Sequence, residues 1–200
     1  MRLLIIRHGE SEADILRVHE GRADFPLTER GIRQAKAMAA WAAKDYSIDR
    51  IYASTLKRAA QTARCLSEAT GVPVESEPDL MEFNNGLLAG LPFDEADKKY
   101  PGVPDLPPDK AVYGQESKVE FRARAEKVLA KLLNRMDTNM TVAVVTHGGM
   151  INELTHAFLN LPVADGLFFC TADTGVHEWI VTPNGRRVVQ ANESAHAKDI

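Results

Sequence analysis

Two histidine-glycine pairs in the chain, His8-Gly9 and His147-Gly148, each directly follow a short apolar run. A neutral imidazole can act as a nucleophile near pH 7, and the glycine after it lets the backbone turn sharply. The N–H groups of a helix that follows such a turn favour a bound anion. Arg7 precedes the first pair and adds a planar cation that matches phosphate oxygens. This pattern indicates chemistry on a phosphate group.

A second arginine, Arg58, follows another short apolar run and is expected in the first turn of a helix. Ligands of parallel sheets bind beyond the carboxyl ends of the strands. Strands that end near Ile6, Ala53 and Val145 would therefore bring two arginines and two histidines to one crevice. Each of these residues alone is more often structural, so the prediction rests on their combination.

The elements that must position these residues alternate between strand and helix. Continuous apolar runs are typical of strands covered on both faces, and they occupy residues 3–6, 51–53 and 141–145. Capping residues and helical spacing predict helices at about 28–41, 56–69 and 119–136. An antiparallel edge hairpin is predicted at 176–189, and the chain beyond about Glu193 is expected to fray. The prediction is an α/β three-layer sandwich with a largely parallel central sheet and helices on both faces.

A single domain is expected over residues 1–200, with a lid-like insertion at about 90–117. Residues 92–108 hold five of the ten prolines, which disfavours helix and inner strand and predicts a long loop. Loops of this length inside compact domains are often functional. We expect this insertion and the Gly114-Gln115-Glu116 segment to supply the contacts that select a substrate.

Composition excludes several classes of function. The 200 residues carry 24 Lys and Arg against 28 Asp and Glu, a net charge of −4, which disfavours nucleic acid as a partner. The apolar run that opens the chain stops at Arg7, too early for a signal peptide or membrane span, so a cytoplasmic protein without a membrane partner is expected.

Cys65 and Cys170 are expected to be buried free thiols. The six histidines and two cysteines show no metal-ligand spacing, so neither metal nor cofactor is expected. A homo-oligomer is left open.

The Arg-His-Gly motif at 7–9 resembles the hallmark of the histidine phosphatase superfamily, the phosphoglycerate-mutase-like family. The resemblance continues in order along nearly the whole chain. Its further elements are Gly21, Pro26-Leu27-Thr28, Gly31, the segment 54–63, Leu80-x-Glu82, Gly86, Gly90, Glu116-Ser117 and His147-Gly148. It implies a phosphoglycerate-mutase-like fold.

The resemblance also implies a role for each matching residue. His8 would be the nucleophile that forms a phosphohistidine, and Glu82 would be the general acid and then the general base. Phosphate binding would fall to Arg7, Ser11, Gly21, Arg58, His147 and Gly148, with Arg7, Arg58 and His147 on the equatorial oxygens. Glu75 and Glu77 are rival acids outside the Leu-x-Glu spacing and are expected to be solvated.

Three departures from the mutase pattern bear on the reaction. Mutases carry Trp-Asn where this chain has Ala13-Asp14, Ser or Thr where it has Glu20, and Asn where it has Gly149. A carboxylate at Glu20 or Asp14 would repel a phosphate unless it pointed away. The insertion is also shorter than the mutase cap, so water should reach the phosphohistidine. These differences favour a phosphomonoesterase acting on a small phosphorylated metabolite. The alternatives are a phosphoglycerate mutase and a phosphate-binding protein without turnover.

Overall fold

The computed structural model describes residues 1–135, 139–163 and 166–200. In these residues six strands form one sheet in the order β3-β2-β4-β1-β5-β6. Their bounds are β1 Arg2–Arg7, β2 Arg50–Ala53, β3 Val74–Ser76, β4 Thr141–Thr146, β5 Val176–Thr182 and β6 Gly185–Glu193. Strands β1 to β4 run parallel, β5 is antiparallel to β1, and β6 is antiparallel to β5. The predicted parallel sheet and edge hairpin are confirmed.

The α-helices of the described residues are α1 Glu12–Leu16, α2 Glu29–Asp45, α3 Lys57–Thr70, α4 Phe93–Lys99, α5 Lys118–Arg135 and α6 Gly148–Leu159. Three single 3-10 turns lie at Pro78–Leu80, Gly86–Leu88 and Ala195–Ala197. The Thr28 hydroxyl accepts the Gly31 N–H and caps α2, as the sequence predicts. Gly71 ends α3 with a left-handed φ of 74°. The prediction for the fifth helix extends to Met136, which lies outside the described residues.

The continuous apolar run of β1 is explained by two covered faces. Leu3 and Ile5 join a core with residues of α5 and α6, while Leu4 and Ile6 join a second core with residues of α2 and α3. All four side chains have 0% exposure. Alternate residues of a strand point to opposite faces, so this strand is apolar throughout. The sheet is the middle layer of the predicted three-layer sandwich.

The topology also decides which loops meet. The carboxyl ends of β1, β2 and β4 share one edge of the sheet, and the register pairs Arg7 with Thr146 and Ala53 with Val145. Strand β5 runs the other way and starts at this edge, where Val176 pairs with Ile6. The segment before β5 therefore faces the same crevice.

Several expectations need correction. The insertion is not all loop, since α4 occupies Phe93–Lys99 between two prolines and buries Ala96. The carboxyl-terminal tail is packed, because the His196 ring stacks on Trp41 at 5.3 Å. Cys65 is only half-buried and Cys170 is exposed, because Cys170 belongs to the irregular segment before β5. Among the described residues no helix has the length and apolar character needed to cross a bilayer.

Candidate active site

His8 follows β1 and is buried, with both ring nitrogens engaged. Its Nδ1 lies 2.7 Å from the carbonyl oxygen of Gly9, and its Nε2 lies 3.2 Å from the Nε of Arg58. A carbonyl only accepts and a guanidinium only donates, so the proton is on Nδ1 and the lone pair is on Nε2. Burial, and then the charges of Arg58 and Arg7, hold the pKa of His8 well below its usual value of 6.5. The ring is therefore neutral, with Nε2 ready to act as a nucleophile.

Arg58 lies in the first turn of α3 and is fully buried. Its two terminal amino groups donate to the carbonyl oxygens of Ala23 (2.9 Å) and Gly21 (2.8 Å). Gly21 has a φ of 46°, and a Cβ there would overlap the Asn85 side chain, so only glycine fits at this bend. These bonds fix the guanidinium with its Nε facing His8. The sequence did not reveal that this arginine also holds the loop at 21–23.

His147 follows β4 and is the N-cap of α6, with its ring centre 5.1 Å from that of His8. Its Nε2 lies 2.8 Å from the Ser54 hydroxyl, which also accepts the Leu56 N–H at 3.3 Å. Burial is the main reason that the pKa of His147 lies well below 6.5, so the ring is neutral. When the serine donates its one proton to Nε2, the ring proton is on Nδ1. That Nδ1 is buried and has no hydrogen-bond partner among the described residues.

The terminal amino groups of the Arg7 guanidinium contact the segment before β5. Its Nη1 donates to the Thr171 carbonyl oxygen at 2.7 Å, and its Nη2 lies 3.3 Å from Asp173 Oδ1. Burial raises the pKa of Asp173, and the charge of Arg7 opposes that rise. The Nε of Arg7 is buried without a partner in the described part of the chain. Within the described residues, Arg7 Nε and, in that tautomer, His147 Nδ1 are thus N–H donors that an anion could use.

Glu82 lies two residues after a 3-10 turn, and its carboxylate reaches the start of α6. Oε2 accepts the Gly149 N–H at 2.9 Å, and Oε1 accepts the Phe83 N–H at 2.7 Å. A Cβ at Gly149 would lie 2.5 Å from Oε1, so this approach needs glycine. Gly148 is the first residue of α6. Glu82 is therefore held against the helix that begins at His147-Gly148.

The backbone around Glu82 is fixed by Arg124 of α5. Its Nη1 donates to the Asp79 carbonyl oxygen at 2.8 Å, and its Nη2 donates to that of Glu82 at 3.1 Å. Nη2 also lies 2.6 Å from the Glu116 carboxylate, which accepts the Asn84 N–H. Neither Arg124 nor Asp79 has a place in the sequence motif, because their contacts arise only when α5 packs against this segment.

Ser11 is fully buried and contacts two carboxylates. Its hydroxyl lies 3.1 Å from Asp14 Oδ2 and within hydrogen-bond distance of Glu20 Oε1. Glu20 does not point away from the crevice, since Oε1 is 3.2 Å from Arg58 Nε and Oε2 is 3.7 Å from His8 Nε2. A carboxyl group therefore adjoins the nucleophile.

The rival acids are engaged elsewhere. Glu75 pairs with Arg50 at 2.7 Å on the exposed surface. Glu77 is buried and pairs with Lys131, so its expected solvation is wrong. Glu77 directly follows the short strand β3, and α5 packs over it. The local sequence does not show this packing. Within the described residues, no group of three His, Cys, Asp or Glu side chains could hold a metal ion.

Sequence reasoning missed Thr171 and Asp173, the anchors of Arg7. A signal for them existed, because an antiparallel strand after β4 must start at the edge where the parallel strands end. The predicted hairpin at 176–189 implied such a strand. Residues just before it were therefore candidates for the crevice.

Comparisons with known proteins show the family and the fold of the chain. The model of the histidine phosphatase superfamily (branch 1) matches residues 3–194. The chain is 33% identical over 150 residues to the uncharacterized phosphatase PhoE of Bacillus subtilis (strain 168), covering 75% of this chain and 73% of that protein. It is also 33% identical over 174 residues to glucosyl-3-phosphoglycerate phosphatase of Mycobacterium tuberculosis (strain ATCC 25618 / H37Rv), covering 82% and 78%. A solved structure of the mycobacterial glucosyl-3-phosphoglycerate phosphatase complexed with VO3 has a TM-score of 0.84 at 30% identity, covering 96% and 99%.

Proposed function

The chain is a phosphatase that belongs to branch 1 of the histidine phosphatase superfamily, and we propose that it hydrolyses monoesters through a phosphohistidine at His8. The observation that carries this proposal is the fixed tautomer of His8. The Gly9 carbonyl oxygen accepts a hydrogen bond from Nδ1–H, so the lone pair is on Nε2, where it faces the Nε of Arg58. A buried, neutral imidazole of this kind is a competent nucleophile at neutral pH.

In the first step, the Nε2 of His8 attacks phosphorus and the bond to the ester oxygen breaks. Charge on the transferring group is spread over its equatorial oxygens, so fixed N–H donors stabilise the transition state. Arg7 Nε and His147 Nδ1 are buried and have no partner among the residues that the structure describes, and Arg58 Nε faces Nε2. The two arginines supply positive charge and the neutral His147 an N–H donor, and no step of the proposal requires a metal ion.

The departing oxygen needs a proton, and we assign its delivery to Glu82. In the second step the same carboxylate takes a proton from the water that attacks the phosphohistidine, and His8 is released unmodified. The bonds from Gly149 and Phe83 hold the carboxylate in place for both steps. This assignment is a proposal that follows the Leu80-x-Glu82 spacing.

The substrate we propose is a small phosphorylated metabolite, selected by the lid-like insertion. Part of that insertion borders a cavity of about 330 Å³ beside Phe83, the neighbour of Glu82. Val103, Lys110 and Gln115 line this cavity and offer both apolar and polar contacts. We also propose a cytoplasmic location, which the absence of a disulfide between Cys65 and Cys170 supports.

The test is phosphate release from an aryl phosphate in the presence of a chelator, combined with rapid acid-free quenching of labelled enzyme. Wild type should carry an acid-labile, alkali-stable label that is absent in His8→Ala, because a methyl group cannot form the intermediate. Label on a serine or an aspartate would refute the proposal. Phosphate transfer between glycerate positions, only with a bisphosphate primer, would instead identify a mutase. Ligand binding with no turnover in either assay would identify a silent phosphate-binding protein.

A further inference from the structure

The carboxyl group of Glu20 occupies space that a substrate needs. Its Oε2 lies 3.7 Å from the Nε2 of His8, and its Oε1 lies 3.2 Å from the Nε of Arg58. A phosphorus atom poised for attack lies about 3 to 3.5 Å from its nucleophile. The phosphoryl oxygens around it would therefore meet the Glu20 carboxyl. This argument rests on the proposed function, because it takes His8 Nε2 as the point of attack.

The hydrogen bonds around Ser11 admit both protonation states of this group, because the serine hydroxyl donates to an ionised Glu20 carboxylate or accepts from a protonated one. The Ser11 hydroxyl is within bonding distance of Asp14 Oδ2 and Glu20 Oε1, but it has only one proton to donate. Asp14 Oδ2 also accepts the Ser11 backbone N–H at 2.8 Å, which suits an ionised carboxylate. When Ser11 donates to Asp14, the contact with Glu20 becomes a hydrogen bond only if Glu20 carries a proton. Glu20 then donates to the serine oxygen.

The charged groups that face Glu20 act in opposite directions. Arg58 of α3 and Arg7 of β1 favour the ionised carboxylate, whereas Asp14 of α1 and burial favour the protonated form. His8 is neutral and contributes no charge. Burial is the largest effect, and the pKa of Glu20 lies above its usual value. The site can therefore hold Glu20 in either protonation state.

We propose that Glu20 couples occupancy of the phosphoryl site to one proton: the site takes a dianion when the Glu20 carboxyl is protonated and rejects it when that carboxyl is ionised. A neutral carboxyl donates a hydrogen bond to an anion oxygen, whereas a carboxylate oxygen next to the anion repels it. A phosphate monoester can itself carry this proton when it binds, so that a protonated phosphoryl oxygen donates a hydrogen bond to an ionised Glu20. Glu20 thus selects the protonation state of the substrate and is a specificity-determining residue.

Sulfate tests this coupling because it stays a dianion throughout the useful pH range. Binding of labelled sulfate, measured by equilibrium dialysis, should weaken about tenfold per pH unit above the titration of Glu20 in wild type. In Glu20→Gln the affinity should be independent of pH in this range and higher than that of wild type at alkaline pH. In Glu20→Asp, which keeps a titratable carboxyl, the pH dependence should persist. An unchanged pH dependence in Glu20→Gln would overturn the inference.

Glu12→Gln is the matched control, since it removes one acidic charge from an exposed position of α1. It should leave the pH dependence of sulfate binding as in wild type. If the pH dependence disappeared in Glu12→Gln as well, the overall charge of the protein would be its cause and not the carboxyl group of Glu20. The dialysis does not depend on turnover, so the two proposals fail separately. Label on His8 with unchanged pH dependence in Glu20→Gln would refute only the proton coupling. Lost pH dependence without label on His8 would refute only the phosphohistidine.

Discussion

Gly149 offers a way to displace Glu82 without changing its chemistry. A methyl group at this position would lie 2.5 Å from Glu82 Oε1 and 3.1 Å from the carboxyl carbon. Carbon and oxygen in van der Waals contact stay about 3.4 Å apart, so the carboxylate must move by close to 1 Å. That movement breaks the 2.9 Å bond from the Gly149 N–H to Oε2. In Gly149→Ala the acid is therefore present but misplaced.

The size of the effect follows from the lost bond. Glu82 becomes a carboxylate as it gives up its proton, and a hydrogen bond to a charged group contributes about 1.5 to 3 kcal/mol, which corresponds to a factor of about ten to one hundred in rate. The full loss is expected in kcat/KM for alkyl phosphates, whose departing oxygen needs a proton. The kcat/KM for an activated aryl phosphate should fall little, because its leaving group departs without a proton. Alanine is the better helix former by about 1 kcal/mol, so the Tm of Gly149→Ala should not fall.

The assay is a series of phosphate esters with leaving groups of different pKa, measured for wild type, Gly149→Ala, Glu82→Ala and the double variant. Gly149→Ala should steepen the dependence of log kcat/KM on leaving-group pKa. In the Glu82→Ala background the same substitution should have almost no effect, since the displaced carboxylate is gone. Equal slopes for wild type and Gly149→Ala, or a full effect in the Glu82→Ala background, would refute the reasoning.

Three further predictions concern the groups around the crevice. Arg58→Lys should lower kcat/KM by about two decades, which corresponds to a loss of about 3 kcal/mol. The reason is that a lysine cannot bond the two loop carbonyl oxygens and face His8 at the same time, and near-normal rates would contradict it. Ser54→Ala removes the partner of His147 Nε2 and should lower kcat/KM about tenfold and Tm by a few degrees, because the buried imidazole and the Leu56 N–H each lose a hydrogen bond. An unaltered rate would count against a role for the serine in the site. Burial lowers the pKa of His177 from 6.5 to about 4, so its contribution to stability is complete above pH 6.5 and is lost as the pH falls toward 4. Denaturant titrations should then show a decline in unfolding free energy below pH 6.5 that is shallower in His177→Gln by up to about 1.4 kcal/mol per pH unit, and equal declines would count against it.

The parts of the fold that the sequence predicted are those set by local patterns. The runs at 3–6, 51–53 and 141–145 are strands because continuous apolar residues suit a sheet covered on both faces. Thr28 and Gly71 mark helix ends because their side chain or backbone freedom satisfies the terminal groups. The convergence of the two His-Gly pairs then follows from the rule that parallel strands end at one edge.

The contacts that the sequence did not predict depend on packing between distant segments. Asp173 meets Arg7 only because β5 runs antiparallel and begins beside Ile6. Glu77 is buried because Lys131 of α5 crosses above it. The orientation of Glu20 is a further case, since charge alone suggested that it would avoid a phosphate. The ion pair with Arg58 and the hydroxyl of Ser11 hold its carboxyl group in the crevice instead.

The site keeps its positioning bonds separate from the donors that remain open. Each of the two arginines uses its terminal groups on the protein: Arg58 on the carbonyls of Gly21 and Ala23, and Arg7 on Thr171 and Asp173. Ordering an arginine side chain costs about 2 kcal/mol of rotamer freedom, and here folding has already met that cost before a substrate binds. The two guanidinium groups are then already in place as charge develops on the transferring group. Substitutions of Thr171 or Asp173, which anchor Arg7, should therefore slow the reaction although neither residue contacts the substrate.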